Sequence, residues 1–471
     1  MRRKTTTQPE LSFQPSTLQV TNRYFARYQA ISTILEENRE IIELVHHDLK
    51  KALRSVERSG RGPKCKVTSD TVLRILICQL VEGETLRGIV IRVDDSHFLR
   101  WFTRIYNGPM LDFSHLCRLK NAIRPRTWKR VNEVLARYAI SEGRIEGERL
   151  RLDTTAFETN IHWPTDSSLL WDTYRVLARG IETVRRIDPD LVGDRHLQTR
   201  RVKRLVLKIA RIAAKKSDRP RERKEVYERL FPLVETILEW AEEIANALRA
   251  CLRRGPYELL EQAVLEEVVE DLERYRELGA RVLDQARRRV LEGESVPNEE
   301  KLFSLFEPHT ELLKRGKAGK EIEFGHMIAI HQVEQKFITG YDVFRKRPHD
   351  STLTGPALEH HRELFGRMPA VLAGDKGFFG DGSRFDRLAE EVEIVSIPKP
   401  GRLAEDERRR ERSLAFKLGQ QFRAGIEGTI SFLKRALGMW RCLNKGWAHY
   451  LATVGATVFA HNLLILAREY G

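Results

Sequence analysis

Cysteine is scarce in these 471 residues: five, at Cys65, Cys78, Cys117, Cys251 and Cys442, with no CxxC pair among them. That spacing argues against a zinc site or a disulfide framework and fits a reducing cytoplasm. The opening MRRKTTTQPELSF has no apolar core segment, so it does not read as a secretory signal. Long apolar runs are missing too, apart from Ala448 to Ala467. That run carries His449, His461 and Asn462, and reads as a buried core helix. A membrane span is the alternative, disfavoured because polar groups in hydrocarbon are costly. Acidic residues are outnumbered: 82 Lys and Arg against 67 Asp and Glu give a net charge of +15. With 41% hydrophobic residues, the chain is neither a disordered polyampholyte nor collagen-like nor a multi-span membrane protein. The positive excess points to a polyanion, most commonly nucleic acid. A basic soluble protein without such a partner is the plain alternative.

The length suggests roughly two to four domains. Residues 1–60 read as a polar leader and a helix from Ser32 to Ser55, and Ser59 to Pro63 as a linker. Residues 61–145 read as a run of short helices. Ser69 or Asp70 caps one bearing Val72, Leu73, Leu76, Ile77 and Leu80; Thr85 starts a second, and Asp95-Ser96 caps a third. Glycine-containing turns between short helices fit a helix-turn-helix group, and equally an ordinary helical domain.

Glu148 to Asp153 alternates polar and apolar, so a strand is expected to end near Asp153. From Asp166 to about Gly293 the pattern is helical. There Arg201, Arg204, Lys208, Arg211 and Lys215 form one basic stripe, opposite Val202, Leu205, Ile209, Ile212 and Ala213. No acid interrupts Gln198 to Ser217, so the stripe suits DNA phosphates as well as plain solvation. EIEFGHMIAIHQV and FITGYDVF read as a hairpin. A helix from Leu353 to Phe365, a strand from Ala370 to Asp375, a helix from Asp381 to Glu391 and a strand from Val392 to Ile397 follow. Glu407 to Leu437 reads as one long helix. The order is β, a helical block, β, β, α, β, α, β, α.

Two acids follow apolar strands, Asp153 in RLRLDTTAFETN and Asp375 in VLAGDKGFFG. Singly, each is more simply a cap or a turn residue. A third, Glu427, lies in FRAGIEGTISFLKRALGMW, where an exposed helix glutamate is the simple reading. Together, carboxylates from two strands and a helix can converge at a sheet edge and offer a hard divalent cation its oxygen ligands.

With that element order and those acids, the chain resembles the insertion-sequence DDE transposases, whose catalytic domain is RNase H-like. It is most similar to the ISNCY-like branch, in which a helical insertion follows the first core strand. The resemblance rests on DTTAFETNIHWPTDSSLL, EFGHMIAI, RPHDSTL, AGDKGFFG and RAGIEGTISFLKR, and spans most of residues 60–465. It implies an α+β multidomain fold: an N-terminal helical, helix-turn-helix-like domain, and an RNase H-like mixed α/β domain in two parts, 146–165 and 301–471, interrupted by helices at 166–300. It also implies that Asp153, Asp375 and Glu427 are the catalytic acids and hold two Mg²⁺ or Mn²⁺ ions. The expected activity is cleavage at transposon ends and strand transfer into target DNA, by a homo-oligomer on double-stranded DNA.

Related transposases carry a Tyr-Arg-Glu-Lys signature on the helix of the last acid. Arg423, Glu427 and Lys434 fall at its spacings, 427 − 423 = 4 and 434 − 427 = 7, while Gln420 stands at the tyrosine position. Arg423 and Lys434 are thereby expected to contact DNA phosphate. Lys376 and His326 are secondary candidates, for phosphate and for the metal pocket; solvent exposure and a core position are their simpler readings. Trp163 and Trp171 read as anchors around a helix cap, or as a stacking platform for a base, and Trp440 and Trp447 as core. An inactive, transposase-derived DNA-binding protein, an RNase H-like nuclease without strand transfer, and a helix-turn-helix regulator are the rival readings.

Overall fold

Helices α1 (Gln19–Glu37) and α2 (Arg39–Arg54) open the part of the chain that the computed structural model describes, namely residues 18–54, 67–214, 220–255, 257–317 and 320–468. The sequence suggested a single helix from Ser32. The break falls at Asn38, outside helical geometry (φ −112, ψ 59), whose side-chain amide donates to the Ile34 carbonyl. The expected linker at 59–63 lies outside the described residues.

Helix α3 (Ser69–Val81) is capped by Thr68, whose hydroxyl accepts the Thr71 N–H, rather than by Ser69 or Asp70. Asp70 has another use: its carboxylate takes Arg74 Nε at 2.7 Å and Arg104 at 2.9 Å. Thr85 and Ser96 cap α4 (Leu86–Asp95) and α5 (His97–Phe102), as the sequence implies. Gly83, at φ +66, makes the turn between α3 and α4. Asp112 caps α6 (Phe113–Ala122), and α7 (Pro125–Ser141) opens on a proline in its first turn.

Strand β1 (Arg149–Thr159) runs six residues past Asp153, so this acid stands inside a strand and not at its end. The β-branched and aromatic residues Thr154, Thr155, Phe157 and Thr159 carry the strand on. Beyond it lie α8 (Asp166–Ile187), α9 (Pro189–Val192), α10 (Thr199–Ala213), α11 (Pro220–Arg254) and α12 (Leu259–Val290), then β2 (Glu311–Lys317). The core strands follow: β3 (Lys320–Gln332), β4 (Ile338–Val343), β5 (Val371–Ala373) and β6 (Ile394–Ser396), with α13 (Thr354–Phe365) and α14 (Gly382–Glu391) before β5 and β6. The expected helix 407–437 is two, α15 (Glu405–Arg412) and α16 (Leu414–Arg435), because Ser413 adopts extended geometry and caps α16 through the Phe416 N–H. A two-residue strand, β7 (Arg441–Cys442), and α17 (Trp447–Ala467) complete the order.

The fold is α+β, with one mixed sheet of seven strands among the described residues. Its order is β2-β3-β1-β5-β6, with β4 also on β3 and β7 also on β1. β1, β5 and β6 are mutually parallel, while β3 pairs antiparallel with β2 and β4. Two compact units result, 1–159 with 326–471, and 160–325. In the first, helices α1 to α7 share one apolar core with the sheet and α17. Helix α17 alone among the described residues is long and apolar enough to cross a membrane, and 89% of its apolar window is buried in the fold. In the second, α8 to α12 enclose their own apolar core.

Candidate active site

Parallel register sets the first two acids side by side. Arg149, Leu150 and Arg151 of β1 pair with Val371, Leu372 and Ala373 of β5. Two residues further on, at the same level of each chain, stand Asp153 and Asp375. Asp375 stands two residues past β5, which stops at Ala373 and not at the acid, and caps a short turn, its Oδ1 accepting the Gly377 N–H at 2.7 Å. Asp153 is 9% exposed, and its Oδ1 accepts the Thr154 N–H at 2.7 Å.

The third acid is placed by how closely α16 lies on the sheet. At Gly419 an added Cβ would fall 2.6 Å from Ser396 Oγ on β6, so only glycine permits this approach. The Ser396 hydroxyl donates to the Phe416 carbonyl at 2.8 Å, and Gln420 Nε2 donates to the Ser396 carbonyl at 2.6 Å and the Gly374 carbonyl at 3.2 Å. Gln420, the departure from the signature tyrosine, therefore straps the helix to the ends of β5 and β6. Further along the helix, Gly425 leaves room for the Arg151 guanidinium, which donates from Nε to Gln332 at 2.8 Å and from Nη1 to the Phe422 carbonyl.

Held this way, α16 presents Arg423 and Glu427 to Asp153. Arg423 Nη2 lies 3.5 Å from Asp153 Oδ2, and Nη1 lies 3.5 Å from Glu427 Oε1. Asp153 feels both of the other acids. Burial first pushes the Asp153 carboxyl above the ordinary carboxylate range; Thr154 and Arg423 oppose it, and the charges of Asp375 and Glu427 add to it. Glu427 itself is open, its side chain 68% exposed.

A fourth acid, Asp350, was not singled out in the sequence. Its Oδ2 lies 3.1 Å from where a Gly377 Cβ would be, and Asp375 Oδ1 lies 3.0 Å from the same point. Burial raises the Asp350 carboxyl, and Asp375 contributes to the rise. In RPHDSTL it reads as a turn acid, and only the fold brings it beside Asp375.

The remaining candidates divide. Lys434 shares α16 and is half-buried, and Lys376 is exposed next to Asp375. His326 is fully buried, with Nδ1 at 3.0 Å from the Phe344 carbonyl and its ring against Trp447 and Tyr450, a core position. Trp440, expected in the core, is exposed, since it lies in the turn before β7. In the second unit Trp163 is exposed, with the Phe324 ring edge-on at 5.2 Å. On α10, Arg201, Arg204, Lys208 and Arg211 are exposed, and Val202, Leu205, Ile209 and Ile212 are buried. Ala213, assigned to the apolar face, is exposed, and Lys215 lies outside the described residues.

The donor set of Asp153, Asp375 and Glu427 is oxygen only, which suits a hard cation that keeps several waters. Among the described residues, no three His, Cys, Asp or Glu side chains form a ready ligand group; the Arg423 guanidinium stands between Asp153 and Glu427. Against known protein families, curated proteins and solved structures, the chain finds no match.

Proposed function

We propose that the chain is a DDE transposase, cutting DNA at transposon ends and joining them to target DNA through an RNase H-like catalytic core interrupted by the helices of 166–300. The observation that carries this reading is that Asp153, on the strand parallel and adjacent to the one leading to Asp375, shares the Arg423 guanidinium with Glu427 of α16. The observed order β1, helices, β3, β4, α13, β5, α14, β6 and α16 supports the RNase H-like core, with β2 added.

Asp153, Asp375 and Glu427 would hold two Mg²⁺ or Mn²⁺ ions, whose charge stabilises the attacking and leaving oxygens of an in-line phosphodiester displacement. Around them the chain supplies position and charge. Arg151, Gln420 and the two glycines fix α16, so Glu427 cannot drift from the strand acids. Arg423, Lys434 and Lys376 supply cations for the scissile strand's phosphates. The exposed face of α10 adds contacts that are indifferent to sequence. The partner is double-stranded DNA, the working form a homo-oligomer able to hold two ends, and the compartment the cytoplasm.

The test is cleavage of a plasmid carrying the coding sequence with its own flanking DNA, in Mg²⁺ or Mn²⁺, by wild type and Asp153→Ala. Breaks at defined flanking positions, absent in the variant, are expected. Scattered breaks would indicate a nuclease without end specificity, and tight binding without breaks an inactive DNA-binding descendant.

A further inference from the structure

A cluster of three carboxylates needs a counter-charge, and here the chain provides one itself. The two terminal nitrogens of Arg423 each reach a different acid, at 3.5 Å to Asp153 and 3.5 Å to Glu427. Those separations are ion-pair distances, longer than well-made hydrogen bonds. The third donor, Nε, is buried without a hydrogen-bond partner. The side chain is 22% exposed, so it has a route outward. Contrast Arg151 on the same face of the sheet, whose Nε reaches Gln332 at 2.8 Å and which is 4% exposed. One arginine is built in. The other is loosely seated and leaves a donor unused.

We infer that Arg423 is an internal stand-in for the divalent cations, occupying the carboxylate cluster when it is empty and exchanged onto a DNA phosphate when it is loaded. The inference rests on the metal-site reading above and adds a competition to it. The acids stay neutralised before loading, which prevents their repulsion from spreading the strand ends and α16. Loading then frees a guanidinium beside the substrate, where planar paired donors suit a phosphate. Its released contacts are set against the metal's affinity, so the site fills weakly alone and more readily when DNA offers Arg423 an alternative partner.

The test measures Mn²⁺ binding to the full chain by electron paramagnetic resonance, with no activity readout. Wild type, Arg423→Gln, Arg423→Lys and Asp153→Asn are compared, first without DNA. Losing two half-exposed ion pairs is expected to tighten Mn²⁺ binding in Arg423→Gln by about tenfold. Arg423→Lys, which keeps the charge, is expected to stay near wild type, and Asp153→Asn to lose the site. With saturating short duplex, wild type and Arg423→Gln are expected to converge. Equal or weaker Mn²⁺ binding in Arg423→Gln, with Asp153→Asn still losing it, would overturn the stand-in role and leave the metal site standing. A tenfold gap that persists on DNA would overturn the exchange. Absence of any Mn²⁺ binding that depends on Asp153 would overturn both the metal site and the inference built on it.

Discussion

Of the three glycines on helix α16, the structure treats Gly419 and Gly428 oppositely, and the same substitution at each should move stability in opposite directions. At Gly419 a new Cβ would lie 2.6 Å from Ser396 Oγ, still closer to Ser396 Cβ, and 3.6 Å from Val371 Cγ1. The two closest are the Cβ and Oγ of Ser396, held directly on the backbone of β6, so the helix itself must lift. Overpacking of this kind costs typically about 1–3 kcal/mol, and the severity here argues for the upper end. The helix propensity gained on replacing glycine by alanine returns about 1 kcal/mol. Gly419→Ala is therefore expected to lose about 2 kcal/mol net, by the difference of those two effects. At Gly428 an added Cβ meets nothing within 4 Å, so only the propensity gain remains. Gly428→Ala is expected to gain up to about 1 kcal/mol. Urea unfolding followed by circular dichroism reads both. Midpoints shifted the same way in the two variants would refute the close-packing account of how α16 is placed.

Other expectations concern charge. Asp48 is 2% exposed; burial pushes its carboxyl up, but hydrogen bonds from Arg124 and Thr127 outweigh it and hold it below the usual range. Its contribution is then present at neutral pH and lost as the pH falls below about 4 through the lowered value, and Asp48→Asn should cost about 1–3 kcal/mol at pH 7 and flatten that acid limb in unfolding curves. Asp153 has the opposite sign: burial above all raises its carboxyl, so stability falls as the pH rises from the ordinary carboxylate value through the raised one, and the full cost is present at neutral pH. Asp153→Asn should accordingly be at least as stable as wild type at pH 7.5 in chelator, and a clearly less stable variant would contradict the burial cost of this carboxylate described above. On α10, Arg204→Glu with Lys208→Glu should weaken DNA binding and reduce the salt slope by about 2, and an unchanged slope would remove this helix from the interface.

Much of the site could be read along the chain, and the reasons for the rest are physical. Asp153 and Asp375 stand out because each follows an apolar stretch, but that they sit level follows only from the register of β1 on β5. The pairing of Arg423 with Glu427 was available from a spacing of four; its second contact, to Asp153, bridges 270 residues, 423 − 153, and no local pattern encodes it. Thr154, Thr155, Phe157 and Thr159 favour a strand that continues past Asp153, although an acid after apolar positions usually marks a strand end. The division of α15 from α16 hung on Ser413, a cap without the glycine or proline that usually marks a break. β2, ELLKRGK, hides because charge fills most of its positions and only its antiparallel pairing with β3 makes it a strand. Gln420 differs most from expectation: where the signature has tyrosine, it binds the carbonyls at the ends of two strands, a role no spacing discloses.

The account turns on three acids acting as one strand-cutting site, and Asp375→Asn tests it most directly. Nicking of a supercoiled plasmid that carries the flanking DNA is measured in Mn²⁺, beside binding to the same DNA. The account predicts that Asp375→Asn abolishes nicking and keeps wild-type binding, because the substitution removes one ligand charge and leaves α10 and the leading helices untouched. Nicking that survives Asp375→Asn would contradict it.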